Sequence, residues 1–140
     1  SWFGRPPVLV DSVGLPGATA MMNSADAYPG MITLIEESGL AEDAYPHTVA
    51  ARIGVWIGLY SPRRWAGRIT CPTLVQIAAN DAITPRRVAE RAAGKMRNAT
   101  IHTYDCGHFD PYVDPLFETV IADQIAFLHA NVPPVTSTPS

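Results

Sequence analysis

The chain has 140 residues, enough for one domain with its own core, and 47% are hydrophobic, an ordinary share for a globular protein. Charged residues are sparse at 16%, and the net charge is −3. Nucleic acid and membrane are therefore not expected partners: the Arg63-Arg64 pair is too short for a basic stripe, and no apolar run reaches the roughly 18 residues of a membrane helix.

The chain opens on Ser1-Trp2-Phe3-Gly4, with no Met, no basic n-region and no signal-peptide core. Its two cysteines, Cys71 and Cys106, make no disulfide framework. Each lies beside a predicted strand and reads as a small buried thiol. Nothing around Cys106 supplies the base that would activate a nucleophile. Two free thiols fit a reducing, cytoplasmic compartment.

Turn signals crowd the first thirty residues: Arg5-Pro6-Pro7, Leu15-Pro16-Gly17 and Tyr28-Pro29-Gly30. Between them Val8-Leu9-Val10 is a short extended piece. Pro29 suits the first position of a helix, with Met31, Ile32, Leu34 and Ile35 as its apolar face and Gly39 at its end. Thr48 is the expected N-cap of a second helix. Val49, Ile53, Trp56, Ile57 and Tyr60 recur at helical spacing, and Ser61-Pro62 stops it. Residues 1–68 are thus predicted to form a mainly helical cap or lid.

The pattern changes near residue 70. Cys71-Pro72 leads into the nearly continuous apolar run of residues 73–79, which fits a strand buried on both faces of a parallel sheet. Asn80-Asp81 follows, and Thr84-Pro85 then caps a predicted helix running to about residue 98. Residues 99–104 read as a second strand, Asp105-Cys106-Gly107-His108 as a loop. Asp114-Pro115 opens a last helix bearing Phe117, Val120, Ile121, Ile125 and Leu128. Residues 69–130 therefore predict an α/β class: a βαβ unit plus a closing helix. Residues 131–140 are an expected disordered tail.

Asp81 and His108 fall just past the C-terminal ends of the two predicted strands. Groups at strand C-termini collect on one rim of an open parallel sheet, and a right-handed crossover keeps the strands side by side. There a neutral imidazole can take a proton from a nucleophile and return it to a leaving group, while a carboxylate on the other ring nitrogen fixes the tautomer. Gly107 lets the chain turn sharply before the histidine. Taken singly, Asp81 could cap the following helix and His108 could be a surface histidine. His47, mid-strand His102, and His129 near a helix end have no comparable setting. Asp105, Asp110 and Asp114 surround His108 but match no common ligand spacing, so neither metal nor cofactor is expected. Trp2, Phe3, Met21, Met22, Trp56 and Trp65 read either as an acyl or alkyl pocket or as ordinary packing.

Cys71-Pro72-Thr73-Leu74-Val75, then Ala79-Asn80-Asp81 and Pro85, resembles the acid-bearing strand and turn of the α/β-hydrolase superfamily. Tyr104-Asp105-Cys106-Gly107-His108-Phe109 resembles its histidine loop, and acid before histidine is its chain order. The resemblance covers residues 69–130. The helical first half is similar to a cap of the kind found in actinobacterial hydrolases. One element departs from the superfamily: Gly-x-Ser-x-Gly occurs nowhere, and Val10-Asp11-Ser12-Val13-Gly14 lacks the first glycine. The resemblance implies that the earlier strands, the oxyanion loop and the nucleophile belong to a longer parent upstream of Ser1. That parent would hydrolyse small-molecule esters or related acyl compounds, with His108 as base and then acid and Asp81 orienting it. An aspartate or cysteine nucleophile stays open. The chain alone is expected to be inactive and, with an unpaired strand edge, to self-associate or pair with the missing N-terminal half. The alternative is a non-catalytic, hydrolase-like binding or interaction module.

Overall fold

The computed structural model describes residue 4, residues 6–41 and residues 44–133. Trp2, Phe3 and most of the expected disordered tail lie outside the described residues.

The first half is mixed rather than mainly helical. Strand β1 (Leu9–Val13) pairs in parallel with the short β2 (Ala20–Met22) and antiparallel with β3 (Thr48–Ala50), giving the order β2-β1-β3. Helix α1 (Ala27–Ser38) lies between β2 and β3. It starts earlier than Pro29, which occupies its first turn, where a proline costs no helical hydrogen bond. Gly39 closes it as expected, at φ 66°, a left-handed conformation that glycine adopts without strain.

Thr48 corrects the sequence reading. It caps no helix; Thr48, Val49 and Ala50 stand opposite Asp11, Val10 and Leu9, and the Ala51 N–H donates to the Val8 carbonyl. Their β-branched side chains suit the ladder that β1 offers, and that pairing overrides the local cap signal. Helix α2 (Arg52–Leu59) begins only afterwards. Its apolar stripe meets no core: Val55 and Trp56 are 65% and 62% exposed.

The second half follows the expected order. β4 (Thr73–Ala78) and β5 (Ala99–Tyr104) run parallel in unbroken register from Thr73 opposite Ala99 to Ala78 opposite Tyr104. Helix α3 (Arg86–Ala93) makes the crossover, and α4 (Leu116–Asn131) packs back on β4. α3 is shorter than predicted, stopping at Gly94. The buried apolar set is small: Ile77 on β4, Ala93 on α3, Val120 on α4, and Cys106 and Phe109 in the loop after β5. Among the described residues, no helix is long and apolar enough to cross a membrane.

A polar network joins α4 to the sheet. Tyr104 donates to Asp123 Oδ2 at 2.6 Å, and His102 Nδ1 lies 2.8 Å from the same oxygen. Gln76 Nε2 donates to the Tyr104 hydroxyl and to the Val120 carbonyl, and Gln124 donates to Gln76 Oε1. The hydrogen bonds from Tyr104 and His102 hold the Asp123 carboxyl below its ordinary range. Burial first, and then Asp123, push the Tyr104 phenol up. A depressed carboxyl contributes stability that is complete above its unfolded value, about 4, and is lost as pH falls through the folded value. A raised phenol contributes stability below about pH 10 that is lost as pH rises further. Thermal unfolding should therefore be level near neutral pH and fall at both extremes. Asp123→Asn should melt lower at neutral pH and lose part of the acid slope. An unchanged acid limb would show that the network does not couple α4 to the sheet.

Candidate active site

Asp81 and His108 meet at the rim of the parallel pair. The chain leaving β4 stays stitched to the chain leaving β5: the Ala79 N–H donates to the Tyr104 carbonyl, the Asn80 N–H to the Cys106 carbonyl, and Asn80 Nδ2 to Asp105 Oδ1 at 2.8 Å. These bonds bring the residue after Asn80 within reach of the histidine loop. Asp81 Oδ2 lies 2.8 Å from His108 Nδ1.

The rest of the Asp81 carboxylate is tied into its own turn. Oδ1 accepts the backbone N–H groups of Ile83, at 2.8 Å, and Thr84, at 2.7 Å. Oδ2 also accepts the Thr84 hydroxyl in a short hydrogen bond. Thr84 therefore does not cap α3, as the sequence suggests; its hydroxyl is spent on the acid, and Pro85 takes the cap position. Burial pushes the Asp81 carboxyl up, but the bonds from His108, Thr84 and Ile83 outweigh it and hold it below the ordinary range. It is an ionised acceptor at neutral pH. The Asp81 side chain is 8% exposed and that of His108 25%.

A carboxylate on Nδ1 keeps the proton there and leaves the Nε2 lone pair free to receive one. Among the described residues, nothing hydrogen-bonds to Nε2. The imidazole is held from the other side by Phe109, whose ring meets it edge-on at 4.9 Å. Phe109 is buried against α1: a Cβ at Gly30 would stand 2.3 Å from its Cδ2. Asp110 Oδ2 accepts the Gly107 N–H at 2.6 Å and braces the loop. Gly107 itself has no left-handed φ, so its N–H, rather than its missing side chain, serves the loop.

Other sequence candidates stand apart from this pair. Cys106 is buried, and burial and then the carboxylates of Asp110, Asp105 and Asp81 push its thiol up, away from the nucleophilic thiolate. Cys71 is exposed, contrary to its expected burial. Ser12 is buried and donates to the His47 carbonyl at 3.0 Å. Asp105 and Asp110 are engaged as loop braces, and the described residues contain no group of three or more His, Cys, Asp or Glu able to hold a metal. The sequence reading missed the His102–Asp123 pair. The signal was period-two spacing, which puts His102 and Tyr104 on one face of β5, but the register of α4 was needed to find Asp123.

Two cavities flank the pair. One, of about 380 Å³, is lined by Asp81, His108, Thr84, Gln76 and Tyr104. The other, of about 700 Å³, is an apolar groove between α3 and residues 60–69, and Thr84 belongs to the walls of both. Of the candidate pocket residues only Trp65 lines the groove. Trp56 projects from exposed α2, and Met21 and Met22 are half-buried in β2.

The chain is similar to the quorum-quenching protein AidA of Acinetobacter baumannii (strain MDR-ZJ06), with 38% identity over 133 residues that cover 95% of this chain and 42% of that protein. It thus spans less than half of that relative's length. No family profile matches the chain, and no solved structure matches it significantly.

Proposed function

We propose that this chain is the acid- and histidine-bearing portion of an α/β-hydrolase that cleaves esters or related acyl compounds. The observation that carries the reading is the Asp81–His108 hydrogen bond of 2.8 Å at the C-terminal ends of two adjacent parallel strands. In the proposed reaction His108 Nε2 removes the proton of a nucleophilic hydroxyl from outside residues 1–140. Asp81 stabilises the imidazolium, and His108 then gives the proton to the leaving group. Residues 1–68 act as a cap beside that rim and residues 69–130 as the end of the core. Similarity to a quorum-quenching protein supports the reading, since a chemical signal is silenced when a bond in it is broken.

The test compares hydrolysis of a p-nitrophenyl ester by the 140-residue chain and by a longer natural protein containing it. The chain alone should be silent. The longer protein should be active and should lose activity on His108→Ala. Full activity in the folded variant would overturn the proposal, and turnover by the short chain that depends on His108 would overturn the external nucleophile.

A second reading, a non-catalytic interaction module, is favoured by one observation: the exposed apolar side chains of α2. A Gly-x-Ser-x-Gly in the gene upstream of Ser1 supports the enzyme; a reading frame that starts near Ser1 supports the module. Under either reading β4 pairs only with β5 among the described residues, so an apolar strand edge stays open. The isolated chain should self-associate. Sedimentation as a monodisperse monomer would count against it.

A further inference from the structure

We propose that the groove between α3 and residues 60–69 is a subsite for a straight aliphatic chain, the tail of the molecule whose reacting carbonyl meets His108. This deepens the hydrolase reading and rests on it for the reacting end, whereas binding of the tail requires no turnover.

Three observations converge. The groove is concave and about 700 Å³ in volume, within the range of small-molecule sites. Its lining is apolar: Val88, Ala92 and Met96 recur at spacing four along and beyond α3, and Trp65 and Ile69 stand opposite. Trp65 and Val88 remain 52% and 42% exposed, so an occupant would remove large apolar surface from water. The third observation fixes the direction. Thr84, whose hydroxyl is bonded to Asp81, lines both this groove and the polar cavity that holds His108. The apolar volume thus begins where the carboxylate–imidazole pair ends. An occupant polar at one end and aliphatic along its length matches that sequence of walls. The small side chain of Ala92 leaves depth in the floor, and unbranched Met96 adapts to a flexible chain.

The test is binding of hexanol, octanol and decanol to the 140-residue chain, followed by tryptophan fluorescence. Trp65→Phe serves as the check that the signal arises in the groove. Uncharged alcohols probe the tail without a reacting head. Affinity should tighten by roughly two- to fourfold for each added methylene, the upper figure being full burial of a CH₂. Ala92→Phe, which fills the floor, should weaken decanol about tenfold or more, the loss of roughly two methylenes' worth of burial. Val88→Gln lies at a half-exposed position that the fold tolerates and should weaken decanol as well. His108→Ala should leave alcohol binding unchanged while removing ester turnover in the longer protein. Equal affinity for all three alcohols, or unchanged decanol binding in both groove variants, overturns the subsite whatever the ester assay gives. Chain-length dependence with a silent ester assay keeps the subsite and overturns only the hydrolase reading.

Discussion

Asp81→Asn is expected to lower kcat of a nucleophile-bearing form of the protein by on the order of 10⁴, with a far smaller effect on folding. The reason lies in how the two carboxylate oxygens are used. Oδ1 accepts two backbone N–H groups, from Ile83 and Thr84, and an amide oxygen can keep both. Oδ2 accepts the Thr84 hydroxyl and faces His108 Nδ1. An NH₂ group there donates instead of accepting. It moves the imidazole proton to Nε2, the atom that has to be a free base. The turn survives while the chemistry is lost. Loss of the charge-assisted bonds should still cost about 1–3 kcal/mol of stability. Asp81→Ala should cost more, because the N–H groups of Ile83 and Thr84 then lose their acceptor. The tautomer can be read without turnover: ¹⁵N NMR of the His108 ring in the 140-residue chain should report an Nδ1–H form that Asp81→Asn abolishes. An unchanged tautomer, or near-normal kcat in the variant, would sink the orienting role of Asp81.

The same residues explain why this site was legible in the sequence. The run of residues 73–79 and the stripe along α4 are local patterns, and each imposes its element almost without help from the rest of the chain. Once β4 and β5 are parallel neighbours, Asp81 and His108 meet because each follows a strand end. The first half resists the same treatment. β3 has three residues and exists only because β1, far away in sequence, offers it a ladder. The stripe on α2 has helical spacing, yet nothing among the described residues covers it, so periodicity gave the helix and not its burial. Thr84 carries two signals at once, cap and acid ligand, and the nearby carboxylate wins because a charged acceptor binds a hydroxyl more strongly than a backbone N–H does. The braces of the histidine loop follow a similar rule. Asp105 and Asp110 look like a metal cluster by spacing, but one is bonded to Asn80 and the other to the Gly107 N–H.

Gly30 is the position whose importance no local pattern reveals, and Gly30→Ala is expected to destabilise the protein despite sitting in a helix. Helix propensity alone favours alanine over glycine by about 1 kcal/mol, and the backbone φ at Gly30 is not left-handed. Packing opposes this. The new Cβ would lie 2.3 Å from Phe109 Cδ2, 2.6 Å from Cγ and 3.0 Å from Cβ. These atoms sit at the root of a buried side chain, not at the tip of a flexible one, so α1 and the histidine loop must separate. Overpacking of this kind costs roughly 1–3 kcal/mol, occasionally more, and at this separation the upper part of that range applies. The net loss should be on the order of 1–2 kcal/mol after the propensity gain. The displaced ring is the one packed edge-on against His108, so the strain reaches the site. Phe109→Leu, which removes the ring, should relieve part of the cost. Denaturant unfolding of the two single variants and the double variant would then show a favourable coupling between positions 30 and 109. A Gly30→Ala protein more stable than wild type, or strict additivity with Phe109→Leu, would mean that α1 does not press on the histidine loop, and His108 would have to be held by Asp81 alone.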